Sequence, residues 1–244
     1  MTTPPNLLPH RWGRDEVTTF FDAARTQQFA SFDNFPGYVE RLTAIDVTFR
    51  KAIEALNHSK DWFAGTFLLR SHSNFLGACL LAWSGQVPES YALFRSTLEN
   101  ALYGLYISKT PGSWETWLRR HDTEQSKKQV RNEFQIGKLL TFAKSIDPAE
   151  GKVAETLYER AIDHGAHPNE RALMQTLELE LDQQGSQAHL TMNYLIGNTP
   201  ALEMALKTSA QVGVCTLSLF QRVLSTRFAI LGIDLELDKL RKGL

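Results

Sequence analysis

Two stretches, residues 59–84 and 89–109, are apolar on nearly every side, and only Gly85-Gln-Val-Pro88 separates them. A helix that is greasy all round has to be buried, and a break carrying glycine and proline turns the chain. The pair therefore predicts an antiparallel helical hairpin at the centre of an all-α molecule, with the other helices packed around it. The second stretch supplies Tyr91, Phe94, Leu98, Leu102 and Leu105 to that centre.

Elsewhere the apolar residues keep the helical period. Phe35-Pro-Gly introduces a helix over 38–57, whose Val39, Leu42, Ile45, Phe49, Ile53 and Leu56 recur at three- and four-residue steps. Residues 15–30 read as a short helix. A longer, more charged helix is expected over 113–146, with a solvated middle at 119–132, and Asp147-Pro-Ala-Glu150 opens another that runs to 163. Leu177, Leu179 and Leu181 alternate with Glu178, Glu180 and Asp182, a period of two that predicts a β-hairpin about Gly185. Leucine and glutamate are also good helix formers, so a helix competes there. Thr199-Pro200 starts a final long helix to about residue 231, and an amphipathic tail covers 235–240. The expected fold is an all-α helical bundle of about six or seven helices with one small β-hairpin before the C-terminal helix. It forms a single helical domain over 15–244, behind a Pro-rich arm at 1–14.

With 244 residues, 43% of them hydrophobic, the chain can bury a sizeable core. Its 26 basic and 27 acidic residues leave a net charge of -1, so no global field draws in nucleic acid or an anionic membrane, and any phosphate contact must be local. Cys79 and Cys215 sit among apolar neighbours and read as core thiols, not as a disulfide framework or a metal cluster. The longest apolar runs are interrupted by Arg, His, Ser and Asn, which argues against a membrane segment. A cytoplasmic chain without a cofactor is the expectation.

Ionised groups on central helices are costly unless paired. Arg70, Arg95 and Glu99 fall on the two central stretches. Arg95 and Glu99 are four residues apart and can pair on one face, beside Ser96 and Asn100, while Arg70 and Asn74 give the preceding helix a similar patch. Two readings stand: a salt-bridge network that fixes helix register, or the polar floor of a ligand pocket.

The densest chemistry lies in Tyr158-Glu-Arg-Ala-Ile-Asp-His-Gly-Ala-His-Pro-Asn169. Arg160 and His164 are i and i+4, and His167 follows a turn at Gly165. An imidazole can give or take a proton near neutral pH, and a guanidinium offers a planar fork for phosphate oxygens. Together with Asn169 they suit acid–base work on a phosphodiester. Helix capping by Gly165 and His164 would explain much of the same pattern. Asp163, His164 and His167 could ligate a metal, but no HExxH or EF-hand spacing accompanies them.

Arg160-Ala-Ile-Asp-His-Gly-Ala-His167 resembles the Arg-x4-6-His pattern of the HEPN-like helical superfamily, which holds metal-independent endoribonucleases and inactive binding members. The resemblance implies a helical bundle, usually dimeric, in which Arg160 steadies the scissile phosphate and His167 is the acid–base group. Arg95-Ser-Thr-Leu-Glu99 is also similar to a group of uncharacterised bacterial helical proteins, a likeness that implies no particular activity.

Trp114 and Trp117, beside Arg119 and Arg120, could stack on bases, although indoles at helical spacing more often belong to a core. Two functional expectations follow. One is a HEPN-like ribonuclease or RNA-binding homo-oligomer working through Arg160 and His167. The other is a non-catalytic scaffold or small-anion-binding protein whose pocket uses Arg70, Arg95, Glu99 and His164.

Overall fold

The computed structural model describes residues 8–54, 56, 62–168, 170–181 and 188–244. The first helices are α1 (Glu16–Asn34), α2 (Pro36–Glu54), α3 (Trp62–Trp83) and α4 (Val87–Lys109). After them come α5 (Ser113–Leu118), α6 (Glu124–Glu133), α7 (Ile136–Ile146), α8 (Pro148–Ala161) and α9 (Glu170–Met174). A hairpin of β1 (Leu177–Leu181) and β2 (Ala188–Met192) leads to α10 (Pro200–Val223), α11 (Ser225–Ile230) and α12 (Ile233–Leu240). The all-α bundle with one small antiparallel hairpin is thus the architecture observed.

α3 and α4 form the expected hairpin, and α4 also touches α10, α7 and α8. Ser71 and Asn74 on α3 reach the Thr97 carbonyl and the Ser96 hydroxyl on α4, at 3.2 and 2.8 Å, so hydrogen bonds set the register of the pair. Phe49, Phe75, Phe94, Leu98, Leu102 and Phe220 are fully buried where α2, α3, α4 and α10 meet. Gly85, at φ +82°, makes the turn, and a Cβ there would strike the backbone of Ile196, whose amide donates to the Gly85 carbonyl at 2.8 Å. The segment leaving the hairpin is thereby fastened to the α3–α4 turn.

The long charged helix expected over 113–146 is three helices and a short 3-10 turn, Arg119–His121. Its polar middle has too little apolar surface to bury. Thr123 starts a new helix by accepting the Ser126 amide at 3.0 Å, and Phe134 caps α6 while burying its own ring. The C-terminal helix likewise breaks at Leu224, whose amide donates to the Phe220 carbonyl while its side chain enters the core. α3 departs from the expectation of burial on all sides: Trp62, Leu69, Leu76 and Leu80 lie on an exposed stripe. Trp117 packs on Phe67 and Trp114 on Phe63, with centroids 5.3 and 5.8 Å apart, so both indoles belong to the aromatic packing around α5. Among the described residues, no helix is long and apolar enough to cross a membrane. The turn of the hairpin, the start of the stretch expected from Ser59 and the first half of the Pro-rich arm lie outside the described residues.

Phe220 seals the α4–α10 contact with no exposure. Phe220→Ala is expected to cost about 3–5 kcal/mol, from lost transfer energy and the cavity left behind. Chemical denaturation monitored by circular dichroism would measure the shift.

Candidate functional site around the Gly165 turn

α8 is set in place at its start. The Asp147 carboxylate accepts the Glu150 amide at 3.0 Å and binds Arg222 of α10 at 2.6 Å. Hydrogen bonding from that amide, together with Arg222, holds Asp147 below its usual range despite partial burial. With α8 clamped against α10, the azimuth of each later residue is fixed. Residues two apart on a helix point roughly 200° apart, and here Tyr158 turns toward α4 while Arg160 turns toward α10.

Tyr158 is buried and its hydroxyl donates to Glu99 Oε1 at 2.9 Å. Glu99 Oε1 also accepts from Arg95 Nε at 2.8 Å, and the Arg95 guanidinium lies over the Tyr158 ring, 5.5 Å from its centroid. Burial, reinforced by the Glu99 charge, pushes the Tyr158 phenol far above its ordinary value, so it acts as a donor. Arg95 Nη1 then meets His167 Nε2 at 2.6 Å. A guanidinium only donates, so Nε2 is the acceptor in this contact. The result is a hydrogen-bonded chain, Tyr158–Glu99–Arg95–His167, that begins in the core and ends on an exposed imidazole.

The turn delivers His167 to that position. α8 passes into a single π-type turn, Ile162–Ala166, in which Gly165 has φ +156°. A Cβ on Gly165 would collide with the Pro88 carbonyl at the start of α4, so only glycine lets the turn press this closely against α4. The glycine serves close approach to α4 as well as helix termination.

Arg160 belongs to a second cluster. Its Nη1 donates to Gln211 Oε1 at 2.5 Å and to Thr208 Oγ1 at 3.3 Å, both on α10. His164 stacks on Tyr91 of α4 with centroids 5.2 Å apart, and its Nδ1 meets Gln175 Nε2 at 2.9 Å. Arg160 and His164 line one open groove of about 480 Å³, with Lys152, Glu155, Glu159 and Asp163 on its other walls. Burial first, then the charge of Arg171, lower the His164 pKa below 6.5, and Asp163 only partly offsets them.

The structure therefore distributes the expected site residues over two neighbouring clusters. It joins Arg95, Glu99 and His167, and it joins Arg160 and His164, but it does not pair Arg160 with His167. Arg70 is exposed on α3, outside both, because its position lies on the outer face of that helix. Asn169 lies outside the described residues. Tyr158 is the participant that sequence reasoning passed over: its place on the inward stripe of α8 reads as core, and nothing local reveals that its hydroxyl meets Glu99. Among the described residues, no group of three or more acidic, histidine or cysteine side chains could hold a metal, so Asp163, His164 and His167 do not converge on an ion site.

No family model matches the chain, and no curated protein or solved structure is significantly similar to it.

The His164 environment fixes a pH dependence. Its folded pKa is depressed, so the unfolded chain binds the proton more readily, and stability falls as pH drops below about 6.5. His164→Gln is expected to flatten that acid limb while leaving stability above neutrality little changed. Thermal melts across a pH series would show the slope.

Proposed function

We propose that the chain is a HEPN-like, metal-independent ribonuclease or an RNA-binding relative, with His167 as its acid–base group and Arg95 as the guanidinium beside it. The observation that carries the reading is the 2.6 Å contact between Arg95 Nη1 and an exposed His167, anchored inward through Glu99 and Tyr158. The Arg95–Glu99 pair of α4 and the stretch ending at His167 meet in this contact.

RNA brings its own nucleophile, the 2′-hydroxyl. Neutral His167 takes that proton as the 2′-oxygen attacks phosphorus; the bond to the 5′-oxygen breaks, and the proton is returned to the leaving oxygen. The products are a 2′,3′-cyclic phosphate and a free 5′-hydroxyl, so atoms and protons balance without another reactant. Arg95 stabilises charge on the phosphoryl oxygens in the transition state. In this reading Arg95 takes the role that the Arg-x6-His pattern gives to Arg160.

End-labelled RNA incubated with purified protein and a chelator is expected to yield cyclic-phosphate ends. His167→Ala and Arg95→Ala should each lower cleavage by roughly 100-fold or more. Absence of both cleavage and RNA binding would remove the reading, and loss of activity in Arg160→Ala but not in Arg95→Ala would return the guanidinium role to Arg160.

The homodimer and cytoplasmic setting belong to the same proposal. β1 and β2 pair Leu177 with Met192 and Leu179 with Leu190, which gathers apolar side chains on one face, and Leu179, Leu190 and Met192 are exposed. An isolated two-stranded hairpin is marginal in water, so covering this face with a second copy would stabilise it. The free, buried Cys79 and Cys215 suit a reducing compartment. Light scattering should give twice the chain mass for the parent protein and the single mass for Leu190→Asp.

A further inference from the structure

A cavity of about 340 Å³ opens between α8, α10 and the C-terminal segment, adjoining the Arg160–His164 groove with which it shares Lys152, Thr156 and Arg160. Its walls include Val153, Leu157, Val214 and Leu244, and Arg160 stands on its lining. That volume lies at the small end of the range for ligand sites, and mostly apolar walls with a few fixed polar groups are the usual make-up of such sites.

The charges in the cavity are not equivalent. Arg241 binds Glu150 at 2.9 Å and the Ser218 hydroxyl at 2.7 Å, so the carboxylate compensates its charge within the wall. Lys152 is paired with Glu155 at 3.0 Å. Arg160 is held by the neutral Gln211 and Thr208, and among the described residues no carboxylate lies within ion-pair distance of it. A half-buried guanidinium that is oriented but not neutralised is a pre-organised receptor for one anionic group. Polyphosphates need several uncompensated donors, whereas the other two cations of the wall, Lys152 and Arg241, are already paired with carboxylates. Cys215 also lines the cavity, but complete burial raises its thiol well above the ordinary value, and the protonated form is a poor nucleophile. The site is built for binding and not for thiol chemistry.

We infer that this cavity binds a small amphipathic carboxylate, its anionic head on the Arg160 guanidinium and its hydrocarbon body against Val153, Leu157 and Val214. The site is distinct from the His167 cluster and does not depend on the ribonuclease reading. A carboxylate accepts two parallel N–H bonds from a guanidinium fork, and the apolar walls reward a chain long enough to displace water from them.

Isothermal titration calorimetry on the full chain with octanoate tests this, with octanol and inorganic phosphate as comparison titrants. One saturable site for octanoate is expected, with octanol at least 10-fold weaker and phosphate without measurable heat. Val153→Trp, at a position 44% exposed, fills the cavity from its rim, and Arg160→Met removes the fork while keeping an apolar stem. Both should weaken octanoate at least 10-fold in protein that melts cooperatively, and His167→Ala should bind like the parent. The proposal is overturned by any of three results: no saturable octanoate binding, octanol binding as tightly as octanoate, or unchanged affinity in either cavity variant.

Discussion

Everything near the candidate site hangs on the burial of α4. It lies against α3, α10, α7 and α8, so its inner faces have no freedom to rotate without opening the core. Arg95 and Glu99 sit on the part of that helix that turns toward α8 and the π-type turn, half-buried where a charged pair must be hydrogen-bonded. Tyr158 and His167 supply those bonds from outside. The cost of placing ions on a central helix is met by partners on a different segment, and that requirement ties the position of the turn to the position of α4.

Gly165 completes the tie from the other direction. A side chain there would run into Pro88, so the turn reaches α4 only because the residue is glycine. Within Ile162–Ala166 the backbone leaves helical geometry at Gly165, φ +156°, and this kink changes the face on which the following residues emerge. His167 therefore projects toward Arg95 instead of continuing the face that Arg160 and His164 share. One local backbone feature separates two clusters that a plain helical wheel would superimpose.

That feature also marks how far the sequence could be read. Helix period and the Gly85 turn state the all-α class directly, because apolar burial at fixed spacing is a local signal, whereas the alternation at 177–181 leaves a helix in competition with the hairpin observed. The i,i+4 pairs, Arg95 with Glu99 and Arg160 with His164, are equally local, and the structure brings both together. What was not legible depends on distant segments. Arg70 looks central by neighbourhood, yet it lies on the outer face of α3 because Ser71 and Asn74 are the residues turned to α4. Arg160 reads as the natural partner of His167, and is drawn to Gln211 and Thr208 by helix azimuth. Tyr158 looks like core until Glu99 arrives from α4. The breaks inside 113–146 follow from capping at Thr123 and from the burial of Phe134, tertiary gains that periodicity alone does not register.

The Arg95–His167 contact carries its own logic as a device. In this state one guanidinium edge holds Glu99 and an adjacent N–H holds the imidazole lone pair. The guanidinium has only donors, so this hydrogen bond uses the Nε2 lone pair of His167. On the proposed ribonuclease reading, an incoming phosphate would compete for the same Arg95 N–H groups and offer them a stronger, charge-assisted acceptor. Its arrival would free the imidazole lone pair at the moment a proton acceptor is needed, while Glu99 and Tyr158 keep the guanidinium from following the ligand. Binding an anion and arming a base would, on that reading, be one exchange of hydrogen bonds, with the Tyr158 end of the chain buried and the His167 end exposed.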